Sequence, residues 1–480
     1  MDGARGKMFV AGSWQAVSGG VLSVVDPATG EPWAEIGRGS AQDVDQAVAS
    51  AQEALAGPWG RTPPAQRGAV LLRISQLIKE NRAELSALES RNTGKPRGQA
   101  EADIAACARY FEFYAGAADK VHGETIPYDP AFLVAVVREP HGVTGHILPW
   151  NYPAQMMGRS VAPALAMGNA CVVKPAEEAC LSVLKLAALG TAAGLPPGAL
   201  NVVPGLGEEA GAALSAHPGV AFMSFTGSPE IGTEIQKACA QRQAPCTLEL
   251  GGKSPQVLFA DADLESAIPA VVRGIVYNAG QTCSAGSRLL VERGIWAAVV
   301  ERLQQAFAAL RVGRPQENPD CGPLISAKQK ERVQGFLELA RRDGIAVVAQ
   351  ASVPKDLPQG GHYVAPTVLG PVPPEHPLVQ EEIFGPVLVM QPFEDEAQAI
   401  ALANGTAYGL MAGVWTKDGG RQLRLARAIR AGQVLVNNFG AGGGVELPFG
   451  GVKKSGHGRE KGLAACDDFS VTKTIVIRHG

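Results

Sequence analysis

Between Val143 and Leu250 short apolar runs alternate with stretches of helical length, and this alternation constrains the fold more than any other feature of the chain. The runs are 145–148, 170–174, 200–203, 220–225 and 247–250. Segments 178–193, 208–216 and 229–240 between them are each long enough for a crossover helix. The pattern predicts an α/β fold: a parallel sheet with helices on both faces and a nucleotide at the carboxyl ends of the strands. A second α/β region is expected over about 252–450, with strands at 254–259, 287–291 and 387–391.

Ahead of the first sheet, Ser40 and Asp43 stand in capping-box spacing before a helix over 40–56. Another should run from Pro64 to Arg91, broken near Asn81, with Gly94 and Pro96 as stop signals. Two alternating segments, 131–138 and 472–478, lie far from either sheet. They are expected to pair with each other as a small β arm reaching another subunit. The expected division is a dinucleotide-binding domain over 1–119 and 141–251, a catalytic domain over 252–452, and an oligomerisation arm over 120–140 and 453–480, in a homodimer or homotetramer.

With 480 residues the chain exceeds one compact core, and 46 % hydrophobic against 19 % charged residues excludes a disordered chain. A net charge of −3 argues against nucleic acid or an anionic membrane as partner. No apolar run approaches a membrane span, and the opening Met-Asp-Gly-Ala-Arg-Gly-Lys carries no long hydrophobic signal core, so a cytoplasmic address is expected. The eight cysteines (Cys107, Cys171, Cys180, Cys239, Cys246, Cys283, Cys321 and Cys466) form no CxxC pair and have no histidine at zinc spacing. No metal is expected, and the default for each is a small buried hydrophobe.

Cys283 invites a second reading. In Gly280-Gln281-Thr282-Cys283-Ser284 it sits in a turn between a helix and a strand, and a helical turn beginning after it would favour the thiolate. Alone, the segment fits a buried thiol equally well. Glu249, in Leu248-Glu249-Leu250-Gly251-Gly252-Lys253, ends an apolar strand where a carboxylate can act as a general base; a loop ion pair to Lys253 is the alternative. Asn151 is bracketed by prolines in Leu148-Pro149-Trp150-Asn151-Tyr152-Pro153. Its amide can donate to a developing oxyanion or simply cap the next helix. Lys174 and Glu177 can reach a ribose from a strand end. Gly227 and Ser228 open a helix suited to a pyrophosphate, and Gly205 and Gly207, with Gly211 beyond, permit close backbone approach. None of these is the GxGxxG fingerprint.

Taken together, the segments resemble the aldehyde dehydrogenase superfamily of hydrolytic type. The resemblance runs from Asp26-Pro27-Ala28-Thr29-Gly30 through PWNYP, KPAEE, FTGSPEIG, LELGGKSP, GQTC, EEIFGPV and PFGGVKKSGHGRE to the C-terminal strand. It implies Cys283 as nucleophile, Glu249 as general base and Asn151 as oxyanion donor, with hydride transfer to a nicotinamide and hydrolysis of a thioester. It also implies cofactor contacts by Ile147, Trp150, Lys174, Glu177, Gly227, Ser228, Glu382 and Phe384, with Glu382 on the nicotinamide ribose. Acyl transfer to coenzyme A is disfavoured, because relatives of that kind lack the glutamate. The Glu177 carboxylate should repel the extra phosphate of NADP, so NAD is the expected cofactor.

The implied wall of the aldehyde tunnel is Tyr152, Gln155, Met156, Arg159, Tyr277, Thr282, Ser284 and Phe439, beside a GAGGG loop over 440–444 expected to be flexible. Arg159 resembles the arginine with which succinate-semialdehyde dehydrogenases bind a substrate carboxylate, but Tyr277 stands where they carry a second one. A semialdehyde acid, with Arg159 as its anchor, and an aromatic aldehyde, with Arg159 in a structural ion pair, are both open. Two other classes are weighed. A non-catalytic structural or binding protein on this fold would be expected to lose Cys283, Glu249 or Asn151. A cysteine hydrolase would need a partner histidine, and no motif recommends His146.

Overall fold

The computed structural model describes residues 5–440 and 444–479; the opening residues 1–4, the loop centre 441–443 and residue 480 lie outside the described residues. The expectation of a flexible 440–444 loop therefore falls largely outside them, as does part of the opening segment.

Two hairpins begin the chain, β1 (Lys7–Val10) with β2 (Ser13–Ala16), then β3 (Val21–Val25) with β4 (Pro32–Gly37). Helix α1 (Ala41–Ala56) starts on the expected capping box: Gln42 N–H donates to Ser40 Oγ (3.1 Å) and Ser40 N–H to the Asp43 carboxylate (2.8 Å). Helices α2 (Pro64–Glu80) and α3 (Arg82–Thr93) meet at Asn81, and Gly94 ends α3 in the left-handed region at φ 77°. Helix α4 (Arg97–Ala117) follows, with Ile104, Cys107, Phe111 and Tyr114 buried along one side. Two strands of the later arm come next, β5 (Glu124–Thr125) and β6 (Phe132–Pro140).

The alternating region then forms β7 (Val143–Leu148), α5 (Pro153–Ala166), β8 (Ala170–Pro175), α6 (Leu181–Ala192) and β9 (Leu200–Val202). A π-turn (Gly207–Gly211) runs into α7 (Ala212–Ala216), followed by β10 (Phe222–Thr226), α8 (Pro229–Gln241) and β11 (Cys246–Glu249). The five strands are parallel in the order β11-β10-β7-β8-β9, and β1 and β2 continue the sheet antiparallel beyond β9. Strand order reverses between β7 and β10, the switch point where α/β sheets bind ligands. Successive strands bury both faces under helices, hence their near-continuous apolar sequences.

The second α/β body contains β12 (Pro255–Leu258), α9 (Leu264–Val276), β13 (Arg288–Glu292), α10 (Trp296–Ala308), α11 (Ala327–Arg342), β14 (Val347–Gln350), β15 (Thr367–Leu369), β16 (Val387–Phe393), β17 (Met411–Trp415) and β18 (Gln433–Val436). Its sheet runs β14-β15-β16-β13-β12-β17-β18, with β14 alone antiparallel. Phe439 belongs to this body's core. It is 3 % exposed and packs over Gly274, Gly286 and Gly413, filling the space their missing side chains leave.

The C-terminal segment divides between two bodies. Within 453–480, β19 (Gly456–His457) pairs antiparallel with β11, so part of the segment assigned to the arm completes the nucleotide-type sheet. A short helix (Ala464–Asp468) buries Ala465 and Cys466 in the same core. Only β20 (Ser470–Arg478) joins the arm, pairing antiparallel with β6 over nine residues, Ser470 with Pro140 through Arg478 with Phe132.

Candidate active site

Strand register brings distant residues to one edge. Ile147 lies beside Lys174 on β8 and Phe225 on β10, while Thr226 lies beside Glu249 on β11. A cavity of about 930 Å³ opens over this edge; Trp150, Asn151, Gly227, Ser228, Glu249, Cys283, Glu382 and Phe384 all line it.

The loop after α9 presents Cys283. Asn278 and Ala279 (φ 51° each) and Gly280 (φ 73°) turn left-handed in succession, and a side chain at Gly280 would collide with the Gly385 carbonyl. Gln281 fastens the turn from both ends: its Nε2 donates to Asn278 O (3.0 Å), and its Oε1 accepts from Ile325 N–H (2.9 Å). No helix begins after Cys283, contrary to the arrangement entertained from sequence; residues 283–284 form a turn, and the Ser284 N–H favours the sulfur's anionic form. Burial nevertheless pushes the thiol up to about 12. Paired glycines serve two approaches here. A Cβ at Gly252 would meet the Cys283 carbonyl, and one at Gly251 would meet the Glu382 carboxylate.

Asn151 does not cap α5, whose N-cap is Tyr152. Its Nδ2 donates to Gln281 O (2.9 Å), and its own carbonyl accepts from Lys95 Nζ (2.7 Å) and Asn278 Nδ2 (3.0 Å). Lys95 is fully buried, paired with Asp103 and set 4.2 Å over the Tyr152 ring. One amide proton of Asn151 thus fixes the side chain while the other stays available to a ligand.

Glu249 ends β11 and is 2 % exposed. Its partner is not Lys253, the alternative raised from sequence, but Arg159, whose Nη2 lies 3.2 Å away. Arg159 also pairs with Glu460. Burial raises the Glu249 carboxyl well above the carboxylate range; Arg159 pulls it down and Glu460 pushes it up. Lys253 is buried without a hydrogen-bond partner, and desolvation lowers it to about 7.

At the other end of the cavity Ser228 caps α8, accepting from Ile231 N–H (3.4 Å). Free N–H groups of a helix first turn suit an anionic pyrophosphate. Glu382 accepts from Gly252 N–H (2.9 Å), and burial raises it to about 7. Phe384, at φ 60°, packs edge-on to Trp150 with ring centroids 5.3 Å apart. Ile147, Lys174, Glu177 and Gly207 sit outside the cavity wall, around the β7 and β8 ends. A side chain at Gly211 would touch Lys174 and Ile147, and Lys174 Nζ is 2.8 Å from Glu177.

Of the expected tunnel residues, Tyr152, Gln155, Met156, Arg159, Tyr277, Thr282 and Ser284 line the cavity, and Tyr152 OH lies 2.6 Å from Thr282 Oγ1. Phe439 is a correction: it is buried in the core of the second body and does not line the cavity. Sequence reading missed Ala102, Ala106 and Tyr110 on one face of α4, along with Phe449 and Lys461. The 102, 106 and 110 spacing of four was the signal available. His146 is buried inside β7, hydrogen-bonded to Thr144 and stacked on Phe469, away from Cys283's cavity. Among the described residues no cluster of three or more His, Cys, Asp or Glu could hold a metal, and no helix is long and apolar enough to cross a membrane.

A doubly wound sheet with a ligand cavity at its switch point, lined by both Cys283 and the buried Glu249, has the architecture of a nucleotide-binding enzyme. The chain belongs to the aldehyde dehydrogenase family, whose profile matches residues 14–475. Hydroxyisobutyraldehyde dehydrogenase of Mycolicibacterium austroafricanum is 42 % identical over 476 residues, covering 98 % of this chain and 93 % of that protein. A provisionally assigned aldehyde dehydrogenase from Burkholderia cenocepacia is 60 % identical with a TM-score of 0.97, covering 99 % of this chain and all of that one (100 %). The NAD+ complex of a Bacillus cereus aldehyde dehydrogenase superposes with a TM-score of 0.96 at 39 % identity, covering 99 % and 97 % of the two chains. The protein is accordingly an aldehyde dehydrogenase that uses a nicotinamide cofactor.

Proposed function

We propose that the protein oxidises uncharged, apolar aldehydes to carboxylic acids with NAD, through a thioester on Cys283 that water hydrolyses. The convergence of Cys283, Glu249 and Asn151 on one cavity carries this reading. Cys283 gives its proton to water in the cavity and attacks the aldehyde carbon as the thiolate, and the oxyanion is held by the free Asn151 amide proton and the Cys283 backbone N–H. NAD, when bound, supplies the acceptor for the hydride that leaves the tetrahedral carbon. Glu249 then takes a proton from the water whose oxygen bonds to the thioester carbon, and the C–S bond breaks to release the acid and Cys283.

The residues present fit the cofactor. Ser228 and Gly227 offer a helix N-terminus to the pyrophosphate, and Trp150 and Phe384 an aromatic wall. Glu382 and Glu177 offer carboxylates for ribose hydroxyls, and Glu177 would repel a 2′-phosphate, favouring NAD over NADP.

Aromatic and apolar side chains support the substrate class: Tyr110, Met156, Tyr152, Tyr277, Val445 and Phe449 face the cavity, while Arg159 is already engaged by two carboxylates. The exposed arm further supports assembly into dimers or dimers of dimers. The test is NADH formation with a panel of aldehydes. Benzaldehyde-like substrates should exceed semialdehyde acids in kcat/KM, and NAD should exceed NADP. A preference for the carboxylate-bearing aldehydes would overturn the substrate class.

A further inference from the structure

The Arg159 guanidinium has a partner at each nitrogen. Nη2 lies 3.2 Å from Glu249, Nε is paired with Glu460, and Nη1 is 3.8 Å from Met156 Sδ. Phe449 covers its face at 4.3 Å. The three charged side chains are withdrawn from solvent, at 7 % exposure for Arg159, 2 % for Glu249 and 1 % for Glu460. Charge rather than aligned hydrogen bonds ties both carboxylates to the guanidinium, and Glu460 Oε1 also accepts from Ser224 Oγ (3.4 Å). Two such carboxylates in a water-poor setting cannot both stay ionised without a cation between them. Burial works against the guanidinium's charge, but Glu460 and Glu249 keep it firmly protonated.

We infer that Arg159 is a positioning residue for thioester hydrolysis: it favours the ionised form of Glu249 against burial and against Glu460, and is not an anchor for a substrate carboxylate. This rests on the reading of Glu249 as general base. A substrate carboxylate would be the third anion on one guanidinium, where only Nη1, 3.8 Å from Met156 Sδ, lacks a carboxylate partner. The remaining charged or titratable groups near the pair are Arg459 and Lys461 from the C-terminal segment, Tyr110 from α4 and Cys283 itself. Of these, Arg459 assists the ionised form of Glu249. Arg159 is in ion-pair contact with both carboxylates.

The test follows acyl-enzyme decay after the NADH burst, across pH, with a neutral aromatic aldehyde. In Arg159→Met the acidic limb should move up by about one pH unit or more, because Glu249 holds its proton longer. Arg159→Lys, which retains a cation, should move it back toward the native position. Glu460→Gln, nearly isosteric, should move the limb the other way, since a competing anion is gone. A limb that stays in place in both Arg159→Met and Glu460→Gln overturns the inference, as does an Arg159→Met defect confined to KM for carboxylate-bearing aldehydes. Glu249→Gln separates the two readings: normal decay in that variant removes Glu249 as base whatever Arg159 does.

Discussion

At the scale of single residues, the site is built on buried ionisable groups, most of them with a partner, while unpartnered Lys253 is pushed toward its neutral form by burial. Glu89 is the clearest case outside the reacting groups. It lies on α3, fully buried, and its Oε1 accepts from Ala154 N–H (3.3 Å) at the start of α5, where Tyr152 makes no side-chain cap. Burial pushes its carboxyl from 4.5 up to about 7; Lys95 opposes the shift and Asp103 adds to it. A folded-state pKa above the unfolded one gives stability that is complete below about pH 4.5 and lost as pH rises through 7. The loss is on the order of 3 kcal/mol across that window. Glu89→Gln keeps the acceptor oxygen and removes the titration. Its thermal midpoint relative to the native protein should therefore rise from about pH 5 to about pH 8. A difference that does not vary with pH would contradict this account. That Cys283, Glu249 and Asn151 share one cavity could be expected only from the family resemblance of their motifs taken together, since each segment alone left a structural alternative open. The Arg159–Glu460 pairing was not legible, because nothing in either segment reports a contact made by β19 folding back onto β11.

At the scale of elements, legibility followed the strength of the local pattern. The five parallel strands and α1, α2 and α3 carried runs, caps and breaks that the structure reproduces within a few residues. Helix α4 escaped because alanines and charges dilute its apolar face, although one side packs against α2 and α5 and the side with Ala102, Ala106 and Tyr110 lines the cavity. Strands β15 and β17 escaped for other reasons. The first has three residues, and the second carries Gly413, whose place is explained only by Phe439 above it. The arm was legible as alternation, and β6 and β20 do pair. Beyond β20 the sheet edge is open, with Val476 (55 %) and Ile477 (50 %) exposed, and Tyr128 (74 %) protrudes beside β6. An open strand edge with exposed apolar residues is a site for pairing with another chain. Replacing Val476 and Ile477 with lysine should reduce the mass measured by light scattering at micromolar concentration toward that of a single chain. A native protein that is already monomeric there would exclude the arm as an assembly surface.

At the scale of the whole molecule, two α/β bodies face each other across one cavity, and chemistry is assembled from both. Asn151 and Glu249 come from the edge of the first sheet. Cys283 and Glu382 come from loops of the second, and Gly251 and Gly252 let the two halves approach closely. Domain boundaries drawn from sequence missed the return of the C-terminal segment, because β19 is only two residues long and is defined by its partner rather than by its own pattern. The central claim is that Cys283 carries the acyl group and Glu249 lets water remove it. The most direct test is the intact mass of Glu249→Gln protein, quenched shortly after mixing with NAD and an aromatic aldehyde, followed by peptide mapping. The account predicts about one acyl group per chain, located on the Cys283 peptide and persisting far longer than in the native protein. No adduct, an adduct on another residue, or one cleared as quickly as in the native protein would contradict it.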